Sequence, residues 1–134
     1  MKVYLSCPIV GGRRLKIARL LHDVISETGH DVISKWLVSD DPGFSLSPSE
    51  VYRRDTDGIR SADIVVADVS NPSHGVGMEM MLALMLGKTI ISLAPKRTKI
   101  SRMLLGAPDI IWVRYSDLKS LKSVMKRMLK SFSR

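Results

Sequence analysis

The period of the apolar positions changes several times along this chain. Residues 2–6 (Lys-Val-Tyr-Leu-Ser) are a short apolar run that meets Pro8 and Gly11–Gly12, the pattern of a buried strand leaving into a loop. Over residues 13–28 the spacing turns helical: Leu15, Ala18, Leu21 and Ile25 share a stripe, Leu20 and Val24 flank it, and Gly29 supplies a stop. Residues 31–38 are β-branched and aromatic, which predicts a second strand. A loop over 39–47 contains Asp40-Asp41-Pro42-Gly43. Ser47, Pro48 and Glu50 then form a capping box with proline at the first helical position, opening a helix that runs to about Ser61.

Asp63-Ile64-Val65-Val66-Ala67-Asp68 has the continuous apolar centre of a strand buried on both faces. The loop Val69–Gly77 leads into a helix over roughly Val76–Leu86, apolar nearly all round and expected to be buried, against a second subunit as well as the sheet. Thr89–Leu93 reads as a fourth strand, 99–106 as a short helix and Ile110–Val113 as a fifth strand. Ser116 or Asp117 caps a last helix with Leu118, Leu121, Val124, Met125, Met128, Leu129 and Phe132 on one face. Strand and helix alternate throughout. The expectation is one α/β domain over residues 1–134, a doubly wound, flavodoxin-like (Rossmann-like) five-stranded parallel sheet of order 2-1-3-4-5. Ligands of such sheets sit beyond the carboxyl ends of the strands at the switch between strands 1 and 3. That singles out the loops Ser6–Arg13 and Val69–Glu79.

Composition narrows the class. The chain has 134 residues, 45% of them apolar and 25% charged, so disorder, collagen and coiled coil are excluded as overall descriptions. No apolar run approaches the ~18 residues of a membrane helix. The lone Cys7 excludes an internal disulfide and fits a reducing compartment, so a cytoplasmic protein is expected. The net charge of +8 is uneven: residues 1–60 hold nine Lys/Arg against eight Asp/Glu, and residues 61–134 hold twelve against five. An anionic partner follows, either nucleic acid or a small phosphate ester. Aromatics are 5% of the chain, too few for stacking platforms, and the lysines of the last helix alternate with its apolar stripe as on any solvated face. Nucleic acid is therefore not the expected partner.

The candidate chemistry lies in the two loops. Gly11 and Gly12, followed by Arg13 and Arg14, let backbone N–H groups and charge approach an anion at a helix start. Neither a Gly-x-Gly-x-x-Gly fingerprint nor a Walker lysine is present. Gly75 and Gly77 flank the start of the apolar helix, and Glu79 lies in its first turn. A carboxylate there is either a helix-dipole partner or, if buried, a group kept for chemistry. Asp55 lies four residues after Val51 and four before Ile59, on the apolar face of its helix, whereas Asp57 reads as solvated. His74 has no second ligand at metal spacing, so neither metal nor cofactor is expected. Cys7 has no base beside it and reads as a small buried residue.

These residues resemble a known family. Tyr4 ahead of Gly11-Gly12-Arg13, Arg54-Asp55 ahead of Ala62–Glu79, and Ser101–Ala107 are similar to the 2′-deoxynucleoside 5′-phosphate N-hydrolases of the nucleoside 2-deoxyribosyltransferase superfamily. The run Asn71-Pro72-Ser73-His74-Gly75-Val76-Gly77-Met78-Glu79 carries most of the likeness. The resemblance implies that Glu79 attacks C1′ of the sugar, that Asp55 assists departure of the base, and that Tyr4 hydrogen-bonds near the nucleophile. It implies that Ser73 binds the 5′-phosphate and that Ser101 binds it from the other subunit of a homodimer. Gly11, Gly12, Gly75 and Gly77 would shape the pocket, with Arg13 beside it. Pro8 and Val10 depart from the hydrolases, which carry a phosphate-contacting serine and arginine there. Pro8 and the segment Gly75–Glu79 also resemble the deoxyribosyltransferases. Hydrolysis of nucleotides, transfer of deoxyribose between bases, and nucleotide or nucleic-acid binding without turnover are the three functional readings.

Overall fold

A computed structural model describes residues 1–133; Arg134, the last residue of the expected domain, lies outside the described residues. Five strands, β1 (Lys2–Ser6), β2 (Asp31–Val32), β3 (Ile64–Asp68), β4 (Thr89–Pro95) and β5 (Ile110–Tyr115), form one sheet of order β2-β1-β3-β4-β5. Every neighbouring pair is parallel, as the alternation of elements requires. The helices α1 (Leu15–Glu27) and α5 (Leu118–Ser131) cover one face, where Leu5, Val66 and Ile91 pack against Leu21, Ile25, Leu121 and Met125. The helices α2 (Pro48–Ser61), α3 (His74–Met85) and the short α4 (Arg102–Gly106) lie on the other, around Tyr4, Val65, Ile90 and Met80. The capping box at Ser47 is formed, and Asp117 caps α5 with Ser120.

Strand 2 is shorter than the expected 31–38. Ile33 still donates its N–H to the Val3 carbonyl, but Ser34 then takes over the pairing with its side chain. Its hydroxyl accepts from the Leu5 N–H at 2.7 Å and donates to the Leu5 carbonyl at 2.6 Å, so both backbone groups of Leu5 that face β2 are satisfied without further strand. Released from the sheet, Lys35–Val38 winds into a 3-10 turn. Other bounds shift too, β4 and β5 each running two residues beyond the expected Leu93 and Val113. The helix after β3 begins at His74, two residues before the expected Val76, because Ser73 caps it by accepting from the Val76 N–H. The short helix is only Arg102–Gly106.

The apolar helix is also not covered all round. Val76, Met80 and Ala83 pack on the sheet, while Met78, Met81, Met85 and Leu86 remain exposed, Met85 at 74%. A sheet face contacts one side of a helix and leaves the other side to solvent or to another chain.

Ser34 ends the strand by satisfying two buried backbone groups. Ser34→Ala leaves both unpaired and is expected to cost about 2 kcal/mol of stability, read as a lower urea midpoint with an unchanged m-value.

Candidate active site

The two loops at the carboxyl ends of β1 and β3 are joined by polar ties. Asp68, the last residue of β3, is fully buried; Arg14 Nη1 donates to its two oxygens at 3.0 and 3.1 Å. The Ser70 amide and hydroxyl donate to the same carboxylate, and Arg14 Nη2 donates to the Tyr115 hydroxyl at the end of β5. Asn71 Nδ2 donates to the Gly12 carbonyl at 3.0 Å. Gly12 has φ +134°, and a Cβ there would lie 2.9 Å from Asn71 Nδ2, so the position requires glycine twice over. Cys7 is buried among the apolar side chains of the α1/α5 face.

Three elements converge beneath these loops. Tyr4 points from β1 to the α2/α3 face, Asp55 comes from α2, and Glu79 from the first two turns of α3. Burial pushes the Glu79 carboxyl up to about 8; the Tyr4 and Ser6 hydroxyls and the Arg54 cation pull it down, and the Asp55 charge pushes it further up. Asp55 is also raised, by desolvation, against the hydrogen bond and charge of Arg54. Burial, then Glu79 and Asp55, push the Tyr4 phenol far above its usual range, so it stays a hydrogen-bond donor. Tyr4, Asp55 and Glu79 thus form one electrostatic group, in which Tyr4 and Glu79 feel each other and the Asp55 charge, with Arg54 as its cation.

Packing fixes these groups. The Tyr4 ring is wedged against Gly58 of α2, where a Cβ would come within 2.9 Å of Tyr4 Cε2. Its other neighbour is Trp36 of the 3-10 turn, in an edge-to-face contact with centroids 6.1 Å apart. The row Ser6, Ala67, Ser92 crosses β1, β3 and β4 one step beyond Tyr4 on the same face, and its small side chains leave room at the end of the sheet. Among the described residues the buried Ser6 and Ser92 hydroxyls close no hydrogen bond, Ser6 standing near enough to the Glu79 carboxyl to pull its proton affinity down.

The expected anion-binding residues separate into two groups. Ser73 and Gly75 belong with Glu79: a Cβ on Gly75 would lie 3.8 Å from Glu79 Oε1 and 3.9 Å from Ser73 Oγ, so glycine keeps open the space between carboxylate and hydroxyl. Gly77, in the first turn of α3, donates its N–H to the Ser73 carbonyl, and the exposed Gly11 leads into the Gly12 turn at φ +85°. Arg13 does not join them. Its Nη2 donates to the carbonyls of Leu37 and Ser39 at 2.8 and 2.7 Å, which holds the end of the 3-10 turn. Ser101 is exposed at the start of α4, beyond β4 in the strand order, and makes no capping bond. The sequence reading missed Trp36, Ser6 and the Asp68–Arg14 pair. Among these only the acid at the end of the apolar β3 run carried a local signal.

Two carboxyl groups with raised proton affinity, one on the first turns of α3 and one on α2, can divide nucleophilic and acid–base roles. Their cost to the fold is measurable. The unfolded chain releases the Glu79 proton near pH 4.5, while the folded chain holds it to about 8, so stability falls as pH rises across that window and is flat above it. Glu79→Gln removes the penalty. Its melting temperature is expected to match the parent near pH 4.5 and to exceed it by on the order of 5 °C at pH 8, measured by thermal unfolding at both pH values.

The profile described as nucleoside 2-deoxyribosyltransferase matches residues 3–127. A protein of Thermofilum pendens, provisionally named 2′-deoxynucleoside 5′-phosphate N-hydrolase 1, is 36% identical over 139 aligned positions, covering 96% of this chain and 95% of the relative. The solved structure of a CMP N-glycosidase from Clostridium botulinum superposes with a TM-score of 0.72 at 21% identity, over 93% of this chain and 98% of that one. A 2-deoxyribosyltransferase from Bacillus psychrosaccharolyticus superposes with a TM-score of 0.68 at 22% identity, over 96% of each chain. These two share the fold, and the profile extends through both site loops, Asp55 and Glu79: the chain belongs to the nucleoside 2-deoxyribosyltransferase family.

Proposed function

We propose that the protein is an N-glycosidase that hydrolyses the base–sugar bond of (deoxy)nucleoside 5′-monophosphates. The observation that carries this reading is the juxtaposition of Glu79, Asp55 and Tyr4 at the carboxyl ends of β1 and β3, with the Ser73 hydroxyl across Gly75 from Glu79. Relatives matching most of this chain at 33–36% identity carry names of 5′-phosphate N-hydrolases, which supports the same choice.

In the proposed reaction a Glu79 carboxylate oxygen bonds to C1′ as the C1′–N bond breaks. The electron pair leaves with the base, which takes its proton from Asp55. Water then attacks C1′ of the glycosyl ester, gives a proton to Asp55, and the Glu79 carboxylate leaves, yielding free base and sugar phosphate. Tyr4 donates a hydrogen bond to Glu79 and favours its anionic form for attack. The active state of the pair holds one proton, so kcat/KM is expected to be bell-shaped with an alkaline limb near pH 8. Glu79→Ala and Glu79→Gln are expected to lower kcat at least ~10³-fold and Asp55→Asn ~10²–10⁴-fold, most for bases that leave poorly. Base release from a panel of nucleotides and nucleosides measures this, and near-normal turnover by a Glu79 variant overturns the assignment. The deoxyribosyltransferase reading is favoured by the run Gly75–Glu79 and by Pro8. Adding an acceptor base decides between them, since a new nucleoside forms only in transfer.

The exposed stripe Met78, Met81, Met85 and Leu86 on α3, with Met103 and Leu105 on α4, supports a two-fold homodimer with composite sites. In it Ser73 of one chain and Ser101 of the other bind the 5′-phosphate. The buried thiol of Cys7 and the nucleotide substrate both fit a cytoplasmic location. Ser73→Ala and Ser101→Ala are expected to raise KM for a 5′-monophosphate ~10-fold or more while leaving the unphosphorylated nucleoside nearly unchanged. Met81→Glu/Met85→Glu is expected to yield monomers by light scattering and to abolish the Ser101 effect. A fully active monomer overturns the composite site.

A further inference from the structure

Asp55 is not held by its helix alone. Arg54 Nε donates to Asp55 Oδ1 at 2.9 Å, and Oδ2 has no partner among the described residues. The Arg54 guanidinium carbon lies 4.1 Å from the centroid of the Trp36 ring, over its face. Trp36 in turn packs edge-to-face on Tyr4. On its other side the guanidinium meets the 40–46 loop: a Cβ at Gly43 would come 3.1 Å from both Nη1 and Nη2. That loop is itself tied, since Asp41 accepts from the N–H groups of Gly43, Phe44 and Ser45. Arg54 Nη2 is buried and has no hydrogen-bond partner among the described residues. A guanidinium clamped between an indole and a backbone loop, with one of its hydrogen bonds made to the neighbouring carboxylate, gives that carboxylate a single orientation.

We propose that Arg54 and Trp36 are positioning residues for Asp55: the stacked guanidinium holds Oδ1 and leaves Oδ2 as the one oxygen that exchanges a proton with the base. This rests on the N-glycosidase reading of the site. It accounts for the 3-10 turn, because a straight strand 2 would carry Trp36 along the sheet edge instead of under α2. It also accounts for glycine at 43, where a side chain would push the loop off the guanidinium. Sequence neighbours on a helix point in different directions, so the Arg54–Asp55 pair has its geometry set by the indole and not by helical spacing.

The test separates positioning from mere stability. The titratable and charged groups that face the pair are Tyr4 from β1 and Arg54 from α2; Cys7 lies on the α1/α5 side of the sheet and senses the Glu79 charge from there, and Asp41 lies in the loop beyond the guanidinium. Removing the cation raises the proton affinity of the carboxyl pair. Arg54→Met is expected to lower kcat ~10–100-fold with KM within about 2-fold, and to move the alkaline limb of kcat/KM upward by about one pH unit. Arg54→Lys keeps the charge but loses the planar Nε–H, so it is expected to restore the pH limb without restoring kcat. Trp36→Phe, which keeps an aromatic face, is expected to retain most activity, and Trp36→Leu is expected to behave as a weaker Arg54→Met. Titration of carboxyl ¹³C resonances of substrate-free protein reads the pair without turnover, and Arg54→Met is expected to shift it upward. A protein that releases no base from any nucleotide but shows this shift loses the proposed reaction and keeps the Arg54 role. An unshifted titration, or equal losses for Trp36→Phe and Trp36→Leu, overturns the positioning role.

Discussion

Bringing two carboxyl groups out of water beside one another is the constraint around which this structure is arranged. Desolvation raises both Glu79 and Asp55, and the Asp55 charge adds to the cost of ionising Glu79. One cation, Arg54, offsets that cost, and one phenol, Tyr4, supplies a neutral donor that burial keeps protonated. A fold optimised for stability alone would place an apolar residue at 79, where the surrounding helix is apolar already. The retained acid is a local inconsistency of the kind that marks a candidate functional site.

The sheet provides the rigidity that such a group needs. Tyr4 and Ser6 are fixed by parallel pairing of β1 with β3, and Glu79 is fixed by a helix whose start is capped by Ser73. The loops between them would otherwise be free to separate. The buried Asp68–Arg14 pair and the Asn71–Gly12 bond join them, and Arg13 extends the same tie to the end of the 3-10 turn. A buried ion pair of this kind adds little net stability, because desolvation consumes most of its Coulombic gain. Its effect here is geometric, since it sets the distance between the glycine loop and the start of α3.

Much was legible locally. The alternation of periods predicted the parallel sheet and its order, because an amphipathic helix following a strand can return only by a right-handed crossover. Ser47 and Asp117 announced their helices, since a cap is a contact between residues three apart. The resemblance carried by Asn71–Glu79 pointed to Glu79, Asp55, Tyr4 and Ser73, and the fold sets the first three within electrostatic reach of one another, with Ser73 across Gly75 from Glu79. Arg13 was misdirected: nothing in its neighbourhood distinguishes an arginine that meets an anion from one that meets two carbonyls 24 and 26 residues away.

What the sequence determined by itself is therefore the set of elements, their order and the residue types available at the ends of strands 1 and 3, all of which depend on periods and caps spanning a few positions. What only the tertiary structure decided are the contacts between segments far apart: Ser34 ending β2 by bonding to Leu5, 29 residues away, Asp68 reaching Arg14 across 54 residues, and Trp36 lying under Arg54. The same holds for the outer side of α3. The sequence marks the helix as apolar nearly all round without saying which side meets the sheet, and only the position of one flat sheet beneath a round helix separates Val76, Met80 and Ala83 from the exposed methionines. Local spacing specifies which face a side chain takes on its own element, but strand order and the close approach of elements decide what that face meets.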